Sequence, residues 1–448
     1  MALCYGVGSA RLVALREAEG HARVLDMPAM TKTLRIPRAT LLASLALVAA
    51  SACHRQAAVA PPAPAAPVQK SAAVGGPAAS VAKPPDASPE ARRPIQQPPA
   101  APCLDVPGGR DASLPDLLEQ AGHDFEKSRY EDALECAREA TRIDGNSVAA
   151  HHFRGAALAE LGHIEEARTA YARALALDPD DPEVLRSVAD LHVRRLGARD
   201  DLELALQYVH RALVRAQKNK DKPLLKELFL LQAMALDDLG RPGDALASAN
   251  HALENDAKDR EARREKGVAL FELCHFDQSR AELARLAAEE PDAWAEHYLG
   301  LIAERAQDDA AAAAHFARAQ KLDPDAFKAA VPAPTSAFQK LVQEEVDKLP
   351  PDIKRGLAHA NFAVEDLPEV GDLVATDPPL SPGILGLFRP PAETASPEAR
   401  PTILLYRRNL SRAAHSDDEL HREVRDTLMH EVGHLNGEDD EQLRDRGL

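Results

Sequence analysis

Two histidines near the C-terminus, His430 and His434, stand four residues apart, and a glutamate, Glu431, directly follows the first. Residues four apart on a helix project from one face about one turn apart, so both imidazoles can bind a single zinc ion at ~2.0–2.1 Å. Zinc lowers the pKa of a water molecule that it binds and polarises a scissile carbonyl. A carboxylate beside the first histidine can take the water proton and later pass it to the leaving amine. The pattern therefore indicates metallopeptidase chemistry, with Glu431 as the general base.

A catalytic zinc ion usually has three protein ligands and one water, so the two histidines need a further ligand. Only 14 residues follow His434, which is too few for another long helix. Gly437 can adopt the positive φ that reverses a chain at a helix end, and an acidic cluster follows it. We predict that Asp440, six residues after His434, is the third ligand; the other candidates in the cluster are Glu438, Asp439 and Glu441.

The residues before the motif predict that it lies on a helix. Three N-cap candidates precede the helix, Ser416, Asp417 and Asp418. The apolar residues that follow them recur at helical spacing, at Leu420, Val424, Leu428 and Val432. The alternative interpretation of the motif is a charged helix face that carries two solvated histidines. The helical context favours the zinc site.

The elements upstream of this helix predict a small separate domain. We expect a helix over residues 338–349, a short strand over 361–367, an irregular Pro-rich loop over 377–401 and a strong strand over 402–406. Together with the motif helix, these elements indicate an α+β domain over residues 335–448.

This domain resembles the minimal zincin-like metallopeptidases, a family of small bacterial domains with short motifs in a fixed order. The resemblance covers about residues 336–448. Its motifs are LGLF at 385–388, ILLYR at 403–407, HExxHxxGxxD at 430–440 and a closing LxxxG at 443–447. The resemblance implies zinc ligands at His430, His434 and Asp440, with Glu431 catalytic. It does not identify a substrate.

A helical repeat occupies the middle of the chain. Successive small residues are spaced by 34, 34, 44, 34 and 33 positions, at Ala121, Gly155, Ala189, Ala233, Gly267 and Gly300. These features resemble the tetratricopeptide repeat, most clearly over residues 148–181. We predict six repeats over residues 113–328, the third of them lengthened by extra residues around 197–201.

The repeats have two possible roles. Arrays of this kind have a concave face that commonly binds a peptide or partner protein, and the resemblance implies that role here. The alternative is a spacer that only presents the next domain. Several histidines in the repeats lack an acidic or cysteine partner at metal-ligand spacing and are expected to be surface or packing residues: His151, His152, His210, His251 and His315.

The N-terminal region has the features of an export signal. A basic flank precedes an apolar run over residues 39–52, which is too short to span a bilayer, and Cys53 follows it. This arrangement resembles a bacterial lipobox, although Ala50 stands where leucine is usual. We therefore expect a signal peptide over residues 30–53 and lipidation at Cys53; the alternative is a plain cleaved signal. Residues 1–29 are expected to lie upstream of the true start.

Composition limits the remaining possibilities. Residues 54–112 are rich in Pro and Ala and predict a disordered linker. Asp and Glu outnumber Lys and Arg by 71 to 54, a net charge of -17, which argues against a nucleic-acid partner. The five cysteines are too sparse for a disulfide framework. The predicted fold is mainly α, a tetratricopeptide α-solenoid followed by a small α+β zincin-like domain.

Two functions of different class fit this organisation. In the first, a zinc-dependent peptidase is lipid-anchored in the bacterial cell envelope, at the outer membrane or the periplasmic face, and the repeats recruit its protein substrate. In the second, the protein is a scaffold lipoprotein whose zincin domain is inactive or structural. Glu431 favours the first, because a purely structural metal site needs no general base beside it.

Overall fold

The computed structural model describes Cys103 and residues 112–391, 399–439 and 442–443. The predicted upstream segment, signal peptide and linker lie outside these residues, apart from Cys103 and Ala112, and so does the predicted lipidation site, Cys53. Asp440 and Glu441 also lie outside the described residues. In the part of the chain that is described, no helix has the length and apolar character needed to cross a bilayer.

Over residues 112–328 the described chain forms six antiparallel helical hairpins. Each hairpin packs against the next, and the second helix of several units ends just before an Asp-Pro or Glu-Pro pair, where proline disfavours helix. The helices are α1 (Leu114–Glu126), α2 (Tyr130–Ile143), α3 (Val148–Glu160), α4 (Ile164–Leu177), α5 (Pro182–Leu191), α6 (Arg199–Asn219), α7 (Lys222–Asp238), α8 (Pro242–Asn255), α9 (Arg260–Glu272), α10 (Phe276–Glu289), α11 (Ala293–Arg305) and α12 (Asp309–Leu322).

Small residues on the first helix of a hairpin allow a large residue of the second helix to pack against its backbone. At Gly155 an added Cβ would lie 2.6 Å from Cδ1 of Tyr171, closer than real atoms approach. Gly300 has the same relation to Phe316. The periodic small residues of the sequence are therefore points of close contact within the hairpins.

The third hairpin differs from the others, as its longer spacing predicts. A π-helical turn, His192–Leu196, follows α5, and Gly197 takes a left-handed conformation with φ of 65°. Helix α6 then extends over 21 residues. The extra residues are thus accommodated within one hairpin, and the array continues after it.

A disulfide joins Cys103 to Cys136 on α2. Two of the five cysteines, which were expected to be too sparse for a disulfide framework, form this single bond. Sequence spacing did not indicate the bond, since Cys103 lies in a Pro-rich segment before the first repeat. The disulfide attaches that segment to the first hairpin.

The C-terminal domain consists of helices around a small sheet. Its elements are α13 (Thr335–Lys348), α14 (Pro351–Leu357), β1 (Asn361–Glu365), α15 (Val370–Leu373), β2 (Gly386–Arg389), β3 (Thr402–Tyr406), α16 (Arg407–Ala413) and α17 (Asp417–Leu435). The strand order is β1-β3-β2, with β1 parallel and β2 antiparallel to β3. The prediction of an irregular loop over residues 377–401 was wrong in part, because β2 forms there through its pairing with β3.

The sheet separates two apolar clusters. Leu405 of β3 packs with apolar residues of α13 and α17, including Phe338, Val424 and Leu428. Leu404 and its neighbours on the opposite face pack with α15 and the segment before β2. The alternation along β3 thus places α17 on one face of the sheet.

The C-terminal domain is docked on the last hairpin. Arg408 of α16 lies 3.2 Å from a carboxylate oxygen of Glu304 on α11 and 2.7 Å from Asp309 on α12. Arg412, one helical turn further along α16, binds the other oxygen of Glu304 and lies over the ring of Phe316. The side chain of Glu304 is only 9% exposed, so this ion cluster is largely shielded from water. The fold is therefore a mainly α solenoid that carries a small α+β domain, as predicted.

Candidate metal centre

Helix α17 carries the HExxH motif and is well defined at its start. The hydroxyl of Ser416 accepts a hydrogen bond from the backbone N–H of Glu419 at 3.2 Å, and this N-cap satisfies an otherwise unpaired donor. Leu420, Val424, Leu428 and Val432 are all buried. The predicted N-cap and apolar face are confirmed, so the motif lies in the last two turns of a helix fixed against the sheet.

The two histidines converge at their Nε2 atoms. These atoms lie 3.1 Å apart, and the two rings are nearly perpendicular, with 84° between their planes and 4.7 Å between their centroids. Two nitrogen atoms that each lie ~2.0–2.1 Å from one ion are separated by roughly 3.0–3.5 Å. The spacing of His430 and His434 therefore fits two ligands of a single zinc ion.

The end of α17 determines how His434 is oriented. Gly437 has φ of 86°, and the N–H of Glu438 bonds to the carbonyl of Gly433 at 3.0 Å, which together form a Schellman cap. This turn brings the carbonyl of Glu438 to 3.0 Å from Nδ1 of His434. A carbonyl can only accept, so Nδ1 carries the proton and the lone pair of the neutral ring is on Nε2, the atom that faces His430.

The returning chain packs directly against the motif. Leu443 is buried, and its side chain lies against Gly433, where any Cβ would overlap it. The same added Cβ would lie 2.9 Å from Oε2 of Glu438. Gly433 is thus the position that lets Leu443 and the turn before it lie close to the end of the helix that carries the two histidines.

The structure gives distinct environments to the acidic candidates. Asp439 accepts a hydrogen bond from the N–H of Gln442 at 2.9 Å and so caps the short turn that carries Leu443. Glu438 contributes its carbonyl to His434, and its carboxylate lies beside Gly433. Asp440 and Glu441 are outside the described residues. The assignment of Asp440 as the third ligand stays a prediction.

Among the residues that the structure describes, no group of three or more His, Cys, Asp or Glu side chains is arranged to hold a metal ion. His430 and His434 provide two converging nitrogen donors, and a third ligand from the C-terminal segment stays a prediction. Neutral imidazoles with a carboxylate are a donor set that zinc accepts in catalytic sites. The described half of the site fits zinc in donor type and spacing.

The side chain of Glu431 projects from α17 toward strand β2. It is 1% exposed, and a Cβ added at Gly386 of β2 would lie 2.9 Å from its Oε1. Gly386 pairs with Leu405, whose side chain points to the α17 side of the sheet. The carboxylate of the candidate base is thus enclosed by the backbone of β2.

A buried carboxylate holds α17 to α13. Glu345 is fully buried and accepts hydrogen bonds from His421 at 2.6 Å and Arg425 at 2.8 Å, both on α17, and from Lys348 at 2.6 Å. Burial raises the pKa of the Glu345 carboxyl, but these hydrogen bonds outweigh it and lower the pKa to about 2. The cluster fixes α17 about two turns before the motif.

Sequence reasoning gave no role to Gly386, Glu345 or the two arginines that bind Glu304, Arg408 and Arg412. Residues 385–388 stood out only as a family motif, because a strand of four residues with one glycine is too short for period-2 alternation to be recognised. Glu345 is an acidic residue in an amphipathic helix, which predicts exposure rather than burial. Pairing of distant residues is the missing signal in both cases.

Family comparisons agree with this organisation. Residues 357–448 match the zincin-like metallopeptidase family model, and residues 148–181 and 230–273 match tetratricopeptide repeat models. The chain therefore combines tetratricopeptide repeats with a C-terminal zincin-like metallopeptidase domain, as the resemblance implied. No curated protein matches the chain.

The chain is similar to several solved structures. They include pilF of Pseudomonas aeruginosa, with 18% identity over 47% of this chain and 92% of that chain and a TM-score of 0.40. PilW, a type IV pilus biogenesis factor, has 18% identity over 47% of this chain and 94% of that chain, with a TM-score of 0.42. YrrB, a TPR protein with an unusual peptide-binding site, has 21% identity over 43% of this chain and 94% of that chain, with a TM-score of 0.34.

Proposed function

We propose that the protein is a zinc-dependent metallopeptidase of the bacterial cell envelope, in which the solenoid recruits a protein substrate and the C-terminal domain hydrolyses its peptide bonds. The observation that carries the proposal is the convergence of His430 and His434 at their Nε2 atoms, with Glu431 next in the chain and enclosed by β2. A structural metal site has no need of this carboxylate.

His430, His434 and a carboxylate of the C-terminal segment, Asp440, would hold the zinc ion. When bound, zinc would act as a Lewis acid that polarises the scissile carbonyl. Glu431 accepts a proton from the attacking water and donates it to the leaving amine. The carbonyl of Glu438 keeps His434 in one tautomer and one orientation throughout.

The outer edge of β2, in the sheet that the structure describes, is a suitable place for an extended peptide. Tyr406 donates its N–H to the carbonyl of Leu385, so the next residue, Gly386, occupies a non-hydrogen-bonded pair with β3. Its N–H and C=O therefore point away from β3, toward the edge beside Glu431. A substrate that pairs with this edge as an added strand brings its backbone next to the candidate base.

The solenoid contains a groove of about 480 Å³. Its charged residues are paired with one another, such as Arg194 with Glu261 at 2.9 Å and Arg195 with Glu160 at 3.2 Å. Burial lowers the pKa of His152 to about 4, so this lining residue is neutral at pH 7. The apolar lining comes from Phe125, Phe153, Tyr171, Leu191, Leu230 and Leu231. These features support recruitment of a segment with apolar side chains.

Two observations support export and anchoring. The basic flank, apolar run and cysteine that end at Cys53 have the order of a lipoprotein signal. The disulfide between Cys103 and Cys136 fits an oxidising compartment, because such bonds are rare in the cytosol. Labelling with a palmitate analogue should require Cys53, and the Cys53→Ser variant should be unlabelled. Wild-type protein that is unlabelled and cytosolic contradicts this part of the proposal.

The metal site is tested with two substitutions in the full chain. Glu431→Gln leaves every proposed ligand in place, so zinc should stay bound while cleavage of fluorescently labelled casein falls by ~10²–10⁴-fold. His434→Ala removes a ligand, so zinc and activity should be lost together. Glu423→Gln, on the same helix, and His415→Ala, exposed just before it, are the matched controls and should change neither zinc content nor activity.

Two results would contradict the peptidase proposal and support the alternative, a scaffold lipoprotein. If the wild-type protein binds no zinc under metal-replete conditions, the peptidase proposal fails. If it binds zinc but cleaves no casein, the domain is a structural part of a scaffold lipoprotein.

A further inference from the structure

Strand β2 approaches the motif helix closely at Gly386. A Cβ built on Gly386 would lie 2.7 Å from Cγ2 of Thr427, 2.9 Å from Oε1 of Glu431 and 3.1 Å from its Cγ. Distances below 3.0 Å are not seen for real Cβ atoms, so any other residue at this position forces one of these groups to move. Thr427 and Glu431 are four residues apart on α17 and therefore lie on one face of the helix.

The direction of this contact follows from the sheet register. Residue 386 pairs with Leu405, and Leu405 packs among the apolar residues of α17. Paired residues in a sheet share a face, so the side-chain direction of residue 386 also points at α17. The space that the missing side chain leaves is occupied by the side chains of Thr427 and Glu431.

We propose that Gly386 is a positioning residue for Glu431. The absence of a side chain at 386 allows the Glu431 carboxylate to lie against the β2 backbone, at the height along α17 where His430 and His434 converge. The three atoms nearest to the Cβ of an alanine there belong to Thr427 and Glu431, so the substitution acts on the carboxylate and its neighbour Thr427 before any other group. The proposal rests on the proposed function for its catalytic consequence, but the contact itself can be measured without any activity.

Another glycine of the chain provides a matched control. Gly371 belongs to the same domain, and a Cβ added there meets no atom of the described residues within 4 Å. Gly371→Ala therefore measures the general effect of replacing a glycine in this domain. Thr427→Ser removes the methyl group that the new Cβ would meet first, and in combination with Gly386→Ala it isolates the contact with Glu431.

The first measurement is a double-mutant cycle on thermal stability in the full chain. Gly386→Ala should lower the Tm by about 3–10 °C, as overpacking of a buried contact does. In a Glu431→Ala background part of this loss should disappear, because the contacts with Oε1 and Cγ of Glu431 are gone while Cγ2 of Thr427 remains. Gly371→Ala should lower the Tm in neither background. If the loss caused by Gly386→Ala is equal with and without the Glu431 side chain, the proposal is overturned.

The second measurement separates positioning from folding through metal content and kinetics. Gly386→Ala, or its combination with Thr427→Ser if the single variant folds poorly, should keep the wild-type zinc stoichiometry. Its kcat on labelled casein should fall by about 100-fold with little change in KM, the scale of a catalytic group misplaced by about 1 Å. In a Glu431→Gln background the same change should cost no further activity. A further loss of equal size in that background, or loss of zinc, overturns the proposal.

Failure of the proposed function gives a different result. If the wild-type chain has no activity on casein but the stability cycle still shows coupling between residues 386 and 431, the positioning contact stands and the peptidase proposal is what fails.

Discussion

At the scale of single residues, the candidate site depends on how the chain returns after α17. His434 is oriented by a backbone carbonyl, and that carbonyl is placed by a Schellman cap and by Leu443 packing on Gly433. The geometry of the candidate metal site is therefore a property of the helix end as much as of the two histidines.

A substitution at Gly433 should separate metal affinity from the presence of the histidines. Gly433→Ala introduces a Cβ that overlaps Leu443, so the C-terminal segment must move away from the helix. We expect weaker zinc binding, by about 10–100-fold, although His430 and His434 remain. Competition with a fluorescent chelator measures the affinity, and Gly371→Ala is the control. Unchanged affinity would mean that the segment contributes nothing to the metal site.

The acidic candidates for the third ligand can be distinguished in the same assay. Asp440→Asn should reduce zinc affinity sharply, because it removes a charged ligand. Asp439→Asn should affect affinity less, since this carboxylate caps the turn at Gln442. If Glu441→Gln weakens binding and Asp440→Asn does not, the ligand has been placed one residue too early.

At the scale of elements, Glu345 joins α13 to the motif helix. In the folded protein its pKa is about 2, well below the ordinary value of 4.5. A carboxyl whose folded pKa is depressed stabilises the fold above the unfolded pKa, and this contribution is lost as the pH falls through the folded pKa. The contribution should be complete above about pH 5 and should decline between about pH 4.5 and 2.

The Glu345→Gln variant tests this linkage. We expect it to lower the free energy of unfolding by about 2 kcal/mol at pH 7, because hydrogen bonds to a buried charged group are lost. The difference from wild type, measured by urea denaturation, should shrink as the pH is lowered from about 5 toward 2. Glu344→Gln, one residue away and exposed, is the control. A difference that stays constant over this range contradicts the assigned role.

The elements also mark where sequence reasoning works. The N-cap at Ser416, the apolar face of α17 and the two histidines were all predictable, because each depends on residues within one helix or next to it. Strand β2 was not predictable, because its own local pattern is too short. It forms through pairing with β3, in a register that joins Gly386 to Leu405. The burial of Glu345 likewise depends on three partners, two of them on another helix.

At the scale of the whole molecule, the zincin-like domain and the solenoid share a buried ion cluster. Glu304 on α11 binds both Arg408 and Arg412 of α16, while Val331 and Ala333, which precede α13, pack in the domain's own core. A fragment that begins at residue 335 therefore lacks core residues as well as the partners of α16. For this reason the experiments on the metal site use the full chain.

Glu304→Gln should weaken docking. Removing the charge leaves two arginines facing a neutral amide in a shielded interface, which costs about 3 kcal/mol. We expect calorimetry to change from one transition to two, and limited proteolysis to cut in the segment between α12 and α13. Asp309→Asn is the matched control, because its side chain binds the same Arg408 but is 69% exposed. A single unchanged transition in Glu304→Gln would show that docking does not depend on this cluster.

Under the proposed function, the docked arrangement has a consequence for how substrates are chosen. Because α16 continues directly from β3 and is held by α11 and α12, the path from the solenoid groove to Glu431 has a fixed length. A segment held in the groove then determines how far along the substrate the scissile bond lies. The protein would act as a ruler, selecting bonds by their distance from the recruited segment more than by the residues around them. Substrates with one recruiting segment and linkers of graded length should show a single preferred length, and that preference should vanish in Glu304→Gln.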